Sequence, residues 1–384
     1  MLPGELSLPE AIFAPDGEAV NRLFSYLCQD ADRCLAKQMA EVLKNLQVHW
    51  FDSSRQSFSC PQCGGYDLIR KGWRTRVLMS SRGRLSLRVL QARCKVCGRT
   101  FRPLNRWLGL SSSRRFLEEF VAKAVKMGVQ FSFARSADAL RELTGGRISA
   151  EGLRRKIGEK AAEITLPNPK PGQTLMVDAT KVKAGRKQRG EPVYLAVTAE
   201  RGPKIAGRPS CQKRLVHLHV GPSQRAKERL RKLSVARLIH DGGEDLSDCA
   251  VNVQRCRWHL THQLKHYLWQ DKVPFEFRGL FQQTMREILA DTKTGPKRFA
   301  SWANNLKGCG LTTTSGHLKG AAAEAFTFLK DPGFDYIDTS PLEREMRELN
   351  RRADIGARWS TKGLENVLKV LFHQRLNLTP KGHT

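Results

Sequence analysis

The sequence predicts a multidomain α/β protein: an N-terminal helix, a zinc ribbon and a helix-turn-helix, then a mixed sheet that carries a helical insertion. Two Cys-x-x-Cys pairs, Cys60/Cys63 and Cys94/Cys97, bracket an alternating stretch in the first half. A proline-rich joint, Leu166-Pro-Asn-Pro-Lys-Pro-Gly172, closes that half, and beyond it short strand-like runs give way to a long helical stretch. At 384 residues and 40% hydrophobic, the chain has length for two to three domains and a large core. The expected segments are 1–55 (N-terminal helical region), 56–105 (zinc ribbon), 112–165 (helix-turn-helix), 173–262 with 335–375 (the sheet domain) and 263–334 (the helical insertion).

Residues 18–50 repeat apolar side chains at three- and four-residue steps through Leu23, Leu27, Leu35, Met39 and Leu43, the period of an amphipathic helix. Such a stripe packs on its own domain or meets a second copy. Zinc takes four tetrahedral thiolate or imidazole ligands, and each Cys-x-x-Cys turn supplies two, so Cys60, Cys63, Cys94 and Cys97 complete one structural site. The stretch between the pairs alternates polar and apolar around Ser-Arg-Gly-Arg, which reads as a hairpin with its turn. A redox role fits less well, because glycine and not a helix follows each pair.

Residues 114–129 and 132–164 read as helices, the second broken at Thr144-Gly145-Gly146 and restarted by Ser149 as N-cap. This is helix-turn-helix spacing, and Arg154, Arg155, Lys156 and Lys160 would line the second helix as its DNA-reading face. A plain helical hairpin with a solvated basic face has the same pattern. After the joint come the strands TLMVDATKV, VYLAVTAE and RLVHLHV, the helix SQRAKERLRKL, the strand ARLIHDGG and a strand-like piece from Val251 to Cys256. Residues 273–330 are helical in pattern, and a last helix begins near Ser340.

The formal net charge is +29, which points to a polyanionic partner, with nucleic acid ahead of an acidic membrane. Residues 60–160 concentrate it, with 23 Lys+Arg against 7 Asp+Glu. No apolar run is long enough to cross a bilayer, and the N-terminus lacks a signal-peptide pattern, so an intracellular protein is expected. In that reducing setting the ten cysteines favour metal ligation or free thiols over disulfides.

Three carboxylates carry the chemistry. Asp178 ends the apolar run Leu175-Met-Val, and Asp241 ends Leu238-Ile-His and precedes Gly242-Gly243; each reads as strand-terminal, although such residues also cap turns. Glu343 stands in the first turn of a helix with Ser340 as cap and Pro341 at its start, where Glu345 and Glu348 compete for any special role. Carboxylates brought together retain protons unless a divalent cation lies among them, and magnesium, as two ions about 4 Å apart, fits such a set.

These residues resemble a family, the DDE transposases of bacterial insertion sequences related to the eukaryotic Mutator elements. The resemblance rests on Met176-Val-Asp178-Ala-Thr180, Ile239-His-Asp241-Gly, Cys256-Arg-Trp-His259, and the helix from Leu342-Glu343-Arg344 to Asn350-Arg-Arg352. It covers about residues 170–372, with the zinc ribbon and helix-turn-helix matching the usual N-terminal layout. It implies a ribonuclease H-like core with a helical insertion between the second aspartate and the glutamate, and Asp178, Asp241 and Glu343 as catalytic ligands of two Mg2+ ions. It further implies double-stranded DNA as substrate, at element ends and target, a dimer or larger assembly when two ends are paired, and a cytoplasmic, nucleoid-associated enzyme. Cys256 and His259 carry over as motif residues of open role. Competing readings are a catalytically silent DNA-binding regulator and a nuclease of the same fold without strand transfer. Trp359 reads as a core aromatic, with stacking on DNA as the alternative.

Overall fold

The computed structural model describes residues 31, 34–49, 59–108, 111, 115–183, 190–205, 208–355 and 359–378. It is mixed α/β with two sheets, and it divides into two compact units: Met1–Gly128 with Phe133–Leu153, and Val129–Ser132 with Arg154–Thr384. The division falls inside a helix and not at the proline-rich joint. Among the described residues, no helix is long and apolar enough to cross a membrane.

In the first unit, helix α1 spans 34–49 and the strands β1 (Leu68–Ser80), β2 (Gly83–Cys94) and β3 (Thr100–Phe101) form an antiparallel sheet in that order. Strand β2 alternates as the sequence does: Leu85, Leu87 and Val89 are buried while Arg84, Ser86 and Arg88 face solvent. The β1–β2 hairpin closes with Ser80 opposite Gly83, leaving Ser81-Arg82 as its tip, and Gly83 adopts a φ of 99° that favours glycine. Leu43 joins Leu78, Leu85, Leu87, Val89 and Leu104 in the core, with Ala36 and Ala40 packed against it. The buried face of α1 therefore runs through the alanines, and Leu35 and Met39 of the expected stripe are exposed. Leu23 and Leu27 lie outside the described residues. Gln47, buried on the same face, accepts from the Leu90 amide and donates to the Arg88 carbonyl, each at 2.9 Å, so a side-chain amide occupies β2 beside the stretch that β3 pairs. Helices α2 (Pro103–Trp107), α3 (Glu118–Gly128) and α4 (Phe133–Thr144) follow.

Helix α5 (Ala150–Glu163) starts in the first unit and continues into the second. The break before it is as read: Gly145 has a φ of 65°, and the Ser149 hydroxyl accepts the Gly152 amide at 3.0 Å as an N-cap. Its buried residues Leu153, Ile157 and Ala161 recur every four positions.

The second unit holds a five-stranded sheet: β4 (Thr174–Val182), β5 (Glu191–Ile205), β6 (Arg208–Val220), β7 (Val235–His240) and β8 (Ala250–Arg255), in the order β6-β5-β4-β7-β8. Pairing is antiparallel across β6, β5 and β4, and parallel across β4, β7 and β8. All five strands read from the sequence are present, with β5 and β6 longer than their apolar centres. Leu175 and Val177 of β4 bury one face with Leu230 of α6 (Ser223–Arg231), Val235 and Leu238.

Four helices follow β8: α7 (Arg257–Gln270), α8 (Phe275–Ala290), α9 (Gly295–Gly308) and α10 (Thr312–Ala321). They enclose their own core, including Leu260, Leu264, Met285, Phe299 and Leu318. Helix α7 belongs to that core from its first turn, so the helical body begins six residues before the expected 263. It returns to the sheet through Glu324, whose carbonyl accepts the Arg255 amide at 3.0 Å, and Thr327, whose hydroxyl donates to the Val253 carbonyl at 2.6 Å. Helices α11 (Ser340–Ala353) and α12 (Thr361–Leu376) complete the unit, α11 packing on β4 and α12 on β6. Trp359 is buried there, donating to the Ala353 carbonyl at 2.9 Å and stacking under the Arg352 guanidinium, as a core aromatic does.

Candidate functional site

The cysteine cluster is built from two matching knuckles. In each, the first cysteine's carbonyl accepts the amide of a left-handed glycine at 2.9 Å, Gly64 on Cys60 and Gly98 on Cys94. Each first cysteine's amide donates to the carbonyl five residues on, Gly65 and Arg99. The hairpin of β1 and β2 brings the knuckles together, and the four sulfur atoms lie within 4.8 Å of one another. Cys60 and Cys97 are 3.5 Å apart and Cys63 and Cys94 3.6 Å. A tetrahedron of thiolates at about 2.3 Å from a zinc ion has edges of roughly 3.8 Å, so the set can hold a metal such as zinc with little movement.

The carboxylates are placed by the other sheet. The parallel register ends with Val177 opposite His240; Asp178 continues β4, Asp241 is the first residue past β7, and the charge of Asp241 reaches Asp178. Asp178 is not at the end of β4, which continues to Val182; it stands where pairing to β7 stops and pairing to β5 persists. Alternation turns Asp178 and Thr180 to the face opposite Leu175 and Val177, and the Thr180 hydroxyl meets Asn350 of α11 at 3.3 Å.

Burial pushes the Asp178 carboxyl up to about 7, and the charge of Asp241 adds to the effect. The Ala179 amide, donating at 2.8 Å, opposes the shift, and the charge of Glu343 adds to it again. Glu343 is thus an electrostatic neighbour of Asp178 from the first turn of α11, with a half-exposed side chain whose partner is Arg347 at 3.5 Å. The competing acids are committed elsewhere: Glu345 is buried between Lys213 and Arg375, and Glu348 pairs with Arg351. Among the described residues, only the cysteines bring three or more ligand atoms within 4.8 Å. The carboxylates form a looser group, in which Asp178 can accept a proton near neutrality and all three can share a cation that draws them inward.

Cys256 and His259 acquire a role. Cys256 caps α7 and is fully buried, its amide donating to the His240 carbonyl at 2.8 Å immediately before Asp241. Its sulfur accepts from the amide and the hydroxyl of Thr339, each at 3.3 Å, and lies 3.3 Å from His259 Nδ1. The Thr339 hydroxyl is 3.2 Å from the same nitrogen. Thr339, not Ser340, occupies the N-cap position of α11, so the cluster ties the start of the Glu343 helix to the end of the Asp241 strand. Burial lowers the His259 pKa against the pull of Asp241, and burial pushes the Cys256 thiol up; both favour neutral side chains.

Two contributors were not identified from sequence. Thr339 is one; its position before Ser-Pro marks a helix start, but its partners lie 80 or more residues away. Glu324 is the other, bonding buried His240 and Arg255 at 3.0 Å each and so bracing the strand that leads to Asp241.

On α5, Arg155 is well exposed, 3.8 Å from Glu159. Lys156 and Lys160 are paired with Glu159 and Glu163 at 2.6 and 2.9 Å, and Arg154 is exposed. Two of the four expected DNA-reading cations are thus closely neutralised along their own helix. Comparison with protein-family models matches no family, and no curated protein matches the chain.

One zinc per chain is the expected result of elemental analysis, and Cys60→Ser with Cys94→Ser should reduce it to near zero. Asp178 binds its proton more tightly folded than unfolded. Its ionisation therefore costs nothing below about pH 4, increasingly destabilises the fold as pH rises, and reaches its full cost above about pH 7. Asp178→Asn should raise stability by up to roughly 4 kcal/mol near pH 8, at about 1.4 kcal/mol per pKa unit, and be near neutral at pH 4. Thermal unfolding without added divalent cations checks it. Cys256→Ala strands the buried Thr339 amide and leaves its hydroxyl with His259 alone, and urea unfolding should show a loss of about 1–3 kcal/mol.

Proposed function

We propose that the protein is a DNA transposase of the DDE type, related to those of bacterial insertion sequences in the Mutator group. The observation that carries this reading is the convergence of three acids: Asp178 on β4 and Asp241 just past β7 follow the last paired residues of adjacent parallel strands, and the charges of Asp241 and Glu343 both reach Asp178. A mixed sheet with helices on its faces, interrupted between β8 and α11 by a helical body, supports a ribonuclease H-like core. The cysteine knuckles on their hairpin support a zinc ribbon, and the net charge of +29 supports a nucleic-acid substrate.

Asp178, Asp241 and Glu343 are the donors that would hold two Mg2+ ions. Two aspartates close enough for the charge of one to raise the other, with Asp178 pushed up to about 7 chiefly by burial, are a donor set whose repulsion a cation relieves. When bound, the ions supply Lewis acidity and a lowered pKa for an attacking water or 3′ hydroxyl. The chain's own contributions are positional: β4 and β7 fix the two aspartates, and the Cys256, His259 and Thr339 cluster fixes the helix that presents Glu343. The half-exposed Glu343 leaves one side of the group open to a phosphodiester. The ribbon and α5 bind the element's ends, and joining two ends to a target requires at least a dimer.

The deciding experiment incubates the protein, Mg2+ and DNA flanking its own gene with a second duplex. Cleavage at the element ends followed by covalent joining is expected. Cutting without joining would indicate a nuclease, and binding without cutting a regulator. Asp178→Asn, Asp241→Asn and Glu343→Gln should each reduce cleavage at least 1,000-fold while leaving end binding within a few fold, as expected of groups acting only on the reacting phosphate.

A further inference from the structure

Strand β6 ends the five-stranded sheet, and beyond it lies a cleft of about 740 Å³ bounded by residues 164–168, β6, α6 and α12. Arg225 and Arg229 of α6, and Lys232 just after it, line the cleft with Lys369 of α12. The first three are exposed and have no ion-pair partner among the described residues, while Lys369 donates to the Ala161 carbonyl at 2.9 Å. The lining holds one acid, Glu365, and it is already engaged by Lys362 at 3.1 Å, by the Val220 amide at 3.4 Å and by His219 Nδ1 at 3.6 Å.

Two histidines of β6 also line the cleft, with near-parallel rings 6.3 Å apart. The Nε2 atoms of His217 and His219 are buried without a hydrogen-bond partner among the described residues. Burying a polar nitrogen without a partner costs free energy, and gathering cations around a concavity adds repulsion, so the cleft is in deficit of acceptors. An anion with several oxygens relieves the repulsion. Burial lowers the pKa of both His217 and Lys369, and the charge of Arg229 adds to the effect on each.

We propose that this cleft binds phosphate groups, with Arg225, Arg229 and Lys232 supplying charge and the two imidazoles completing the inner wall. Phosphate oxygens match guanidinium and ammonium donors in geometry and charge. The lining shares no residue with the carboxylate group, so the site stands or falls independently of strand cutting. The phosphate belongs either to a nucleic-acid strand or to a small phosphate compound, and two probes separate these sources.

The experiment titrates full-length protein carrying 13C-labelled histidine with a 20-base-pair duplex and, separately, with inorganic pyrophosphate. The imidazole resonances of His217 and His219 are expected to shift and saturate with the duplex. Arg225→Gln with Arg229→Gln should abolish that shift and weaken duplex binding about tenfold at 0.1 M salt. The same variant should lower the salt slope of the affinity by roughly 2, one phosphate contact per arginine. Both arginines are exposed, and an unchanged melting curve confirms folding. Lys297→Gln with Lys307→Gln, an exposed pair on α9, should leave the shift intact and the affinity within twofold. A response to pyrophosphate alone would retain the phosphate site and assign it to small compounds. The proposal is overturned if neither probe moves the two imidazoles, or if the α6 and α9 pairs weaken duplex binding equally.

Discussion

Everything at the carboxylate group depends on one register: Val177 of β4 opposite His240 of β7 in parallel pairing. Because side chains alternate along a strand, a slip of one residue would turn Asp178 into the apolar layer of Leu175 and Val177 and bring those residues into its place. That layer is therefore what holds the acids in line. Burial on the opposite face, where α11 packs on β4, is what raises the Asp178 proton affinity.

The approach of Glu343 depends on contacts of a different kind. Its helix rests on β4, and its first turn is located by a buried sulfur that accepts from Thr339 while its own backbone bonds to His240. A soft sulfur acceptor at 3.3 Å tolerates small changes in angle better than a carboxylate would, and it brings no further charge into a group already crowded with acids. His259, neutral and within reach of both partners, fills the remaining polar space.

Much of this was legible in the sequence because it is written in local periods. Alternation marked the hairpin of the first sheet, short apolar runs marked the strands of the second, the two cysteine pairs marked the metal cluster, and glycines with Ser149 marked the break before α5. Asp178 and Asp241 were legible as charges interrupting apolar runs. The rest depended on residues distant in the chain. No local signal could separate Glu343 from Glu345, since the distinction lies in Lys213 and Arg375, which claim Glu345 from another strand and another helix. The stripe expected on α1 failed in part because alanines can form a packing face as well as leucines can, and hydropathy gives them little weight. On α5, Glu159 and Glu163 sit at the spacing that pairs with its lysines, a pairing that the list of cations alone did not register.

Gln47 has a consequence beyond stability. An uncovered strand margin is a template on which any extended chain can add itself, and proteins commonly blunt such margins with charge, proline or a bulge. Here a helix spends one amide side chain to imitate a neighbouring strand for the length of two residues, satisfying a carbonyl and an N–H of β2 at once. A foreign segment seeking those two groups must first displace a glutamine that its own helix holds in place, so the cysteine-bearing sheet is shielded there from templated self-association without becoming any larger.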